Sequence, residues 1–174
     1  MRAVGINMHI APVINTANEL HAESCFSDDN DYVAKHGVAA IQGYEKGQVC
    51  SVVKYFPSIS ADNLENLSTI PIDRKKSPLY PFYRAIKFGT SGILVSNNLF
   101  NHSRSLPIVK RLFDNVLRNE AKFQGVLLTE VDDSVNEEHI LSLIETGIDL
   151  IHLKTTYEQQ IDTISKILEA VKTG

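Results

Sequence analysis

The chain has 174 residues, of which 43% are hydrophobic and 22% are charged, and its formal net charge is -4 at pH 7. This composition is typical of one globular domain and excludes a largely disordered chain. The densest basic run, Arg74-Lys75-Lys76, is too short to predict a nucleic-acid-binding surface. No apolar run reaches the roughly 18 residues that a membrane span needs, and the N-terminus lacks the layout of a signal peptide. A cytoplasmic protein without membrane or nucleic-acid partners is therefore expected.

The first half of the chain alternates short apolar runs with segments of helical period. Strands are predicted over residues 6–13 and 49–56, and the apolar positions between Tyr32 and Ile41 predict a helix between them. Residues 57–77 carry turn formers without a clear period, which predicts a long loop that covers or forms a site. A short helix over residues 81–88 and a third strand over residues 92–96 follow.

The second half continues the same alternation. Pro107 begins a helix with apolar residues at helical spacing, namely Ile108, Val109, Leu112, Phe113, Val116 and Leu117. A fourth strand is predicted over residues 125–129. Asn136 can cap the next helix, which ends at Gly147, and a fifth strand is predicted over residues 148–153. Thr156 and Gln159 have the spacing of a capping box ahead of a last helix. The apolar residues on one face of that helix are Ile161, Ile164, Leu168 and Val171.

Five strands alternating with five helices indicate an α/β fold with a parallel sheet. The strands are interpreted as continuously apolar rather than alternating, as expected when both faces of a sheet are buried. The pattern alone fits either a doubly wound sheet or part of a barrel. No glycine-rich phosphate loop follows any strand, so nucleotide binding is disfavoured.

The cysteines and histidines predict no metal site and no cofactor. Cys25 and Cys50 form no metal or redox motif, and we expect both to be small buried side chains in a reducing compartment. His9 and His152 lie inside apolar strands, so they are predicted to be hydrogen-bonded core residues. The remaining histidines share no ligand spacing; they are His21, His36, His102 and His139.

Several ordered segments resemble the catalytic barrel of glycoside hydrolase family 3. Lys54-Tyr55-Phe56-Pro57 follows a strand and is similar to the family's K-H-F-P segment. Residues 5–13 resemble the strand that ends in A-P-V, and residues 23–29 resemble E-R-S-F-x-x-D. Residues 105–109, 123–130 and 147–150 resemble the S-x-x-(I/V), G-F-x-G-V-x-x-(S/T)-D and A-G-x-D segments. These matches extend over nearly the whole chain, residues 1–174, as a single domain.

The resemblance implies a partial (β/α)8 barrel. The chain corresponds to about five βα units, roughly the C-terminal two-thirds of the family's barrel, and the first three or so units are missing. In the family those units carry an acidic sugar-binding residue and a D-x-E-G-G-like segment. The loop length after Lys54 is closest to the β-N-acetylhexosaminidase branch, which cleaves N-acetylglucosamine from cell-wall fragments.

The resemblance also implies where a sugar site would lie. The family's aspartate nucleophile falls on Glu130, whose side chain is one methylene longer. The Asp-His proton-donor pair of the hexosaminidase branch falls on Glu65 and Leu67, and leucine cannot carry a proton. Sugar contacts are expected from Lys54, from Tyr55 at the position of the K-H histidine, and from Asn98 at the end of the next strand.

Other family positions are also substituted. The arginine of E-R-S-F is Ser24, the acid after A-P-V is Asn15, and the Gly-His pair of the loop is Ser58-Ile59. A retaining glycosidase places its two catalytic groups only about 5–5.5 Å apart, and a displacement of about 1 Å can cost roughly a hundredfold in rate. So many substitutions together favour a catalytically impaired relative with at most weak sugar binding.

Two other functions remain open from the sequence. The first is an active retaining β-N-acetylhexosaminidase or β-glucosidase that uses Glu130 and a proton donor supplied elsewhere. The second is an interaction module, either an oligomer or half of a barrel whose remaining units come from a partner chain. The exposed edges of the first and last predicted strands favour this last reading.

Overall fold

A computed structural model describes residues 1–16, 24–58, 71–100, 106–132 and 137–173. Five parallel strands form a curled half-barrel in the order β1-β2-β3-β4-β5, which confirms the partial α/β barrel. The strands are β1 (Met8–His9), β2 (Cys50–Phe56), β3 (Gly92–Val95), β4 (Val126–Asp132) and β5 (Leu150–Lys154). Each strand lies beside the one that precedes it in the chain, as in a (β/α)8 barrel.

Helices connect the strands. They are α1 (Asn30–Lys46), α2 (Tyr80–Lys87), α3 (Leu106–Arg111), α4 (Glu137–Thr146) and α5 (Tyr157–Thr173), with 3-10 turns at Arg2–Val4 and Asn97–Phe100. Helix α3 continues directly into a π-helical segment, Leu112–Glu120, where Ala121 N–H donates to the Val116 carbonyl at 2.9 Å. The Asn136 cap lies outside the described residues.

Side chains fix two helix starts. The Asp29 carboxylate accepts a hydrogen bond from the Tyr32 N–H at 2.7 Å and caps α1. At α5, the Thr156 N–H donates to Gln159 Oε1 at 2.9 Å, and the Gln159 N–H donates to Thr156 Oγ1 at 3.4 Å. This reciprocal pair confirms the predicted capping box.

The first strand is much shorter than the sequence predicts. The prediction of a strand over residues 6–13 is wrong, because only Met8–His9 forms β1 and Val13 adds a single bridge to Lys54. The Ala11 N–H donates back to the His9 carbonyl at 2.9 Å, so the backbone turns before Pro12. Pro12 has no N–H for the ladder, but its carbonyl accepts from Lys54 N–H at 3.1 Å and keeps the segment beside β2.

The main core lies between the sheet and the helices. Phe56 of β2 is fully buried and meets the Phe82 ring edge-on at 5.2 Å between centroids. The predicted apolar stripe after Pro107 packs into this core, and its buried members are Val109, Leu112, Phe113, Val116 and Leu117. The helices therefore cover the outer face of the sheet.

The concave inner face is sparsely filled. Its buried cluster consists of Val52, Leu94 and Leu128, with Ile10, Tyr55 and Val126 packed partly against it. The apolar face of α5 is also uncovered, because Ile161, Ile164, Leu168 and Val171 are 47%, 49%, 53% and 74% exposed. No helix in the described ranges is long and apolar enough to cross a membrane.

A carboxylate joins α1 to the amino ends of two strands. Glu45 Oε1 accepts hydrogen bonds from the Ser51 N–H at 3.1 Å, the Ser51 hydroxyl at 2.9 Å and the Ser91 hydroxyl at 3.0 Å. Ser51 begins the buried part of β2, and Ser91 precedes β3. This contact fixes the end of the half-barrel opposite to the polar end described below.

Candidate functional site

Polar side chains gather where the parallel strands end. The carboxyl ends of β2 to β5 surround an open cavity of about 310 Å³. Its lining residues are Tyr55, Leu94, Val95, Ser96, Asn97, Asn98, Glu130, Val131, Asp132 and Lys154. Active sites of barrel enzymes lie at this end of the strands, so the cavity is the candidate site.

Alternation along the strands sets which side chains face the cavity. Leu128 belongs to the inner cluster, and successive strand residues point to opposite faces, so Glu130 and Asp132 also point inward. In the pairing of β4 with β5, His152 lies opposite Glu130 and Lys154 lies opposite Asp132. Glu130, Asp132 and Lys154 therefore line the cavity, and His152 contacts Glu130 from the neighbouring strand.

Glu130 is held by two donors. Its side chain is 25% exposed, its Oε2 lies 2.5 Å from Lys154 Nζ, and its Oε1 lies 3.3 Å from His152 Nδ1. Burial alone would raise the pKa of Glu130, but the hydrogen bonds from Lys154 and His152 outweigh it and hold that pKa below its usual range. The carboxylate is therefore an anion at neutral pH.

Lys154 is the other member of this ion pair. The hydrogen bond to Glu130 raises the pKa of Lys154 above its usual range and outweighs the opposing effect of desolvation. Its side chain is 51% exposed, so the pair is open to water on the lysine side. Charge-assisted hydrogen bonds of this kind fix the geometry of a carboxylate more firmly than neutral ones.

Neither strand histidine is the hydrogen-bonded core residue that was predicted. His152 is 50% exposed and contacts Glu130, because β5 lies at the edge of the sheet and its inner face is uncovered. His9 is half-buried, and its ring lies edge-on to Tyr44 at 5.0 Å between centroids. The buried Nδ1 of His9 has no hydrogen-bond partner in the described part of the chain.

The cysteine prediction is also wrong in part. Cys50 is exposed at the first position of β2, and Cys25 is half-buried. Cys50 lies at the amino end of its strand, where the edge strand β1 gives little cover. Burial raises the pKa of the Cys25 thiol above its usual range. No cluster of three or more potential ligands for a metal ion occurs within the residues that the structure describes.

Lys54 and Tyr55 lie at the end of β2. The Lys54 ammonium is 5.2 Å from the centroid of the Tyr55 ring, and Tyr55 lines the cavity while Lys54 stands beside it. Buried Asn15 clamps the Tyr55 backbone, since its Nδ2 donates to the Tyr55 carbonyl at 2.9 Å and its Oδ1 accepts from the Tyr55 N–H. The Lys54-Tyr55 and Phe56-Pro57 peptide bonds are cis. Asn15 therefore supports the site from behind and does not line the cavity.

The other predicted site residues divide into two groups. Asn98 lies in the 3-10 turn after β3 and lines the same cavity as Tyr55 and Glu130. Glu65, Leu67 and Ile59 lie outside the described residues, so the structure does not place the acid-base position. Ser58 adopts a φ of 72° just before that gap, with its hydroxyl buried.

Sequence reasoning missed Lys154, His152 and Asp132 as site residues. In β5 every second residue, Leu150, His152 and Lys154, lies on the same face of the strand, and two of these three are polar. The interpretation of the strands as continuously apolar overlooked this pattern. Recognising the contact with Glu130 also requires the register between β4 and β5, which no local pattern supplies.

Relatives of known class share this sequence and architecture. The family model described as Glycosyl hydrolase family 3 N terminal domain matches residues 1–174. A beta-hexosaminidase of Thioalkalivibrio sulfidiphilus is 24% identical over 140 residues, which cover 75% of this chain and 40% of that relative. A glycoside hydrolase family 3 beta-N-acetylglucosaminidase from Paenibacillus superposes with a TM-score of 0.77 at 22% identity, over 99% of this chain and 37% of that one. NagZ from Neisseria gonorrhoeae, in complex with N-trifluoroacetyl-D-glucosamine, superposes with a TM-score of 0.68 at 20% identity, over 92% of this chain and 51% of that one.

A curled sheet of parallel strands alternating with helices is the architecture of part of an α/β barrel. Within that class, the chain belongs to glycosyl hydrolase family 3, and it corresponds to the family's N-terminal domain. It is related to the beta-hexosaminidases of the family and spans 40% of the length of the relative from Thioalkalivibrio.

Proposed function

We propose that the cavity at the ends of β2 to β5 binds N-acetylglucosamine-type sugars weakly and that this chain is impaired in glycoside hydrolysis. The observation that carries the proposal is the state of Glu130, because both oxygens of the carboxylate at the nucleophile position already accept hydrogen bonds. The bound sugar analogue of the Neisseria relative supports the ligand class. The leucine at position 67 supports the loss of a proton donor.

Few groups are placed to orient a sugar ring. Tyr55 offers a ring face and a hydroxyl, Asn98 offers an amide, and Glu130 offers the free lone pairs of its carboxylate. Ser24 stands where the family motif has a forked arginine donor. Sites that bind small ligands tightly use several convergent polar groups in an enclosed pocket, and this cavity is open.

Hydrolysis and binding assays test the proposal together. The chain should release no product from aryl β-N-acetylglucosaminides or β-glucosides. Calorimetric titration with N-acetylglucosamine should give a dissociation constant no tighter than about millimolar, or roughly 4 kcal/mol of binding free energy. A Tyr55→Ala variant should abolish the remaining binding, and Tyr83→Ala serves as a control because Tyr83 packs against the outer core.

An active retaining enzyme is the first alternative. It is favoured by the position of Glu130 in a cavity at the active-site end of the strands. Turnover of an aryl glycoside that disappears in Glu130→Gln would establish it and overturn the proposal of impairment. A micromolar dissociation constant would likewise show a rebuilt pocket.

A barrel-completing interaction is the second alternative, and the uncovered surfaces favour it. The inner face encloses an open volume of about 530 Å³ that is lined by Met8, Ile10, Leu128, Leu150 and Leu153 among others. Together with the exposed face of α5, this apolar surface favours an oligomer or a partner that supplies further βα structure. Light scattering should then show association at low micromolar concentration, weakened in Ile164→Lys with Leu168→Lys. A monodisperse monomer would contradict this alternative.

A further inference from the structure

The Glu130 carboxylate has two protein donors that the family resemblance does not assign. Lys154 and His152 follow the segment of β5 that resembles the family, and each donates to a different oxygen of Glu130. Lys154 is directly opposite Asp132 in the pairing of β4 with β5, but its ammonium forms an ion pair with Glu130, two residues earlier in β4. Since Asp132 is exposed and Glu130 is half-buried, the lysine satisfies the carboxylate that has less access to water.

We propose that Lys154 is a positioning residue that prevents the Glu130 carboxylate from acting as a nucleophile. Instead, Lys154 holds this carboxylate in place as a hydrogen-bond acceptor for a sugar hydroxyl. This inference rests on the proposed function, because it takes the cavity as the sugar site. His152 secures the second oxygen and leaves the remaining lone pairs of both oxygens directed to ligand or water.

The physical reason is the strength of the ion pair. To attack an anomeric carbon, a Glu130 oxygen must give up electron density that the Lys154 ammonium stabilises. The Glu130–Lys154 ion pair therefore lowers the energy of the ground state more than that of the transition state. The low pKa of Glu130 has the same origin and marks a weakly basic carboxylate. As a hydrogen-bond acceptor, by contrast, a fixed anion is favourable because no reorganisation is needed when the ligand binds.

A substrate with an activated leaving group isolates this step from acid catalysis. With a dinitrophenyl β-N-acetylglucosaminide, a Glu130 oxygen would form the ester bond to the anomeric carbon. The bond from that carbon to the aryl oxygen would break, and its electron pair would leave with dinitrophenolate. No proton is transferred, so the leucine at position 67 does not limit the reaction.

Three variants test the inference. Lys154→Met removes the ion pair, Lys154→Arg retains a cation, and Lys166→Met removes a comparable surface pair with Asp162 on α5 as a control. In a carbon-13 NMR titration of the glutamate carboxyls, Lys154→Met should raise the pKa of Glu130, and the other two variants should leave it low. An unchanged titration in Lys154→Met would overturn the positioning role without any sugar being present.

Dinitrophenolate release tests whether Lys154 prevents nucleophilic attack by Glu130. Lys154→Met should form a covalent glycosyl adduct, seen by mass spectrometry, and release dinitrophenolate at least roughly tenfold above the background level expected of the parent chain. The gain should vanish when Glu130→Gln is added. Equal release by the parent chain and Lys154→Met would overturn the inference. Failure of the proposed function would give a different result. In that case N-acetylglucosamine would leave the NMR amide signals of Tyr55 and Asn98 unchanged in every variant.

Discussion

The two faces of the half-barrel sheet differ in how they are covered. On the outer face, α1 to α4 bury large side chains such as Phe56, Phe82 and Phe113 in one continuous cluster. On the inner face, a cluster of three residues is buried, and Met8 and Leu150 at the two edges are 41% and 44% exposed. The outer face therefore carries most of the stability, and the inner face carries the polar side chains of the candidate site.

The largest difference between the faces should appear at two adjacent leucines of β4. Leu127 faces the helices and Leu128 faces the inner cavity, and they are 0% and 2% exposed. We expect Leu127→Ala to cost about 3 kcal/mol or more, because it leaves a closed cavity. Leu128→Ala should cost about 2 kcal/mol or less, because water can fill the space at the open inner face. Urea unfolding measures both free energies, and equal losses would show that the inner face is covered.

Asn15 allows a second test of how the two faces differ, because it is a buried polar residue that connects the outer core to the site. We expect Asn15→Leu to lower the free energy of unfolding by about 1–3 kcal/mol, because the N–H and carbonyl of Tyr55 lose their partners. Asn30→Ala is the matched control, since Asn30 makes an exposed side-chain bond to the Lys75 carbonyl. Its loss should be well below that of Asn15→Leu. If thermal unfolding gave the same midpoint for both variants, the Asn15 clamp would not support the site.

The smallest expected effect is the pH dependence of the inner rim. The folded pKa of Glu130 is lowered, so its contribution to stability is fully present above the unfolded value of about 4.3 and is lost as the pH falls through the folded value. Lys154→Met should therefore destabilise the chain at pH 7 by about 1 kcal/mol or less, and by less still near pH 3.

The control for this pH dependence is Lys166→Met. His152, Asp132 and Tyr55 also face this pair, and they are unchanged in both variants. A difference between the variants that grew on acidification would contradict the assignment to Glu130.

The outer face could be predicted from the sequence far better than the site. Helical spacing after Pro107 predicted a helix with Val109, Leu112 and Phe113 among its apolar residues, and these residues are buried in the core. This part could be predicted because the spacing is local and one face of the helix is buried. The same spacing does not distinguish an α-helix from the π-helical segment that follows Arg111. The first strand was predicted too long, since an apolar run does not reveal the turn at Ala11.

The candidate site was predicted only in part. Glu130, Tyr55 and Asn98 were identified by the resemblance, and they line one cavity. Lys154 and His152 were missed because their role depends on the register between two strands and on an uncovered face of the sheet. Such contacts arise from tertiary structure, and no spacing within the sequence encodes them.

The Glu45 contact at the amino ends of β2 and β3 has a consequence for evolvability. Glu45 fixes α1 to Ser51 and Ser91 with neutral donors, whereas Glu130 lies at the opposite ends of the strands and pairs with the charged Lys154. Since the two carboxylates share no partner, substitutions at one end should add independently to those at the other. The rim around Glu130 can then be redesigned towards new ligands, in the laboratory or by natural drift, while the Glu45 end keeps the scaffold assembled.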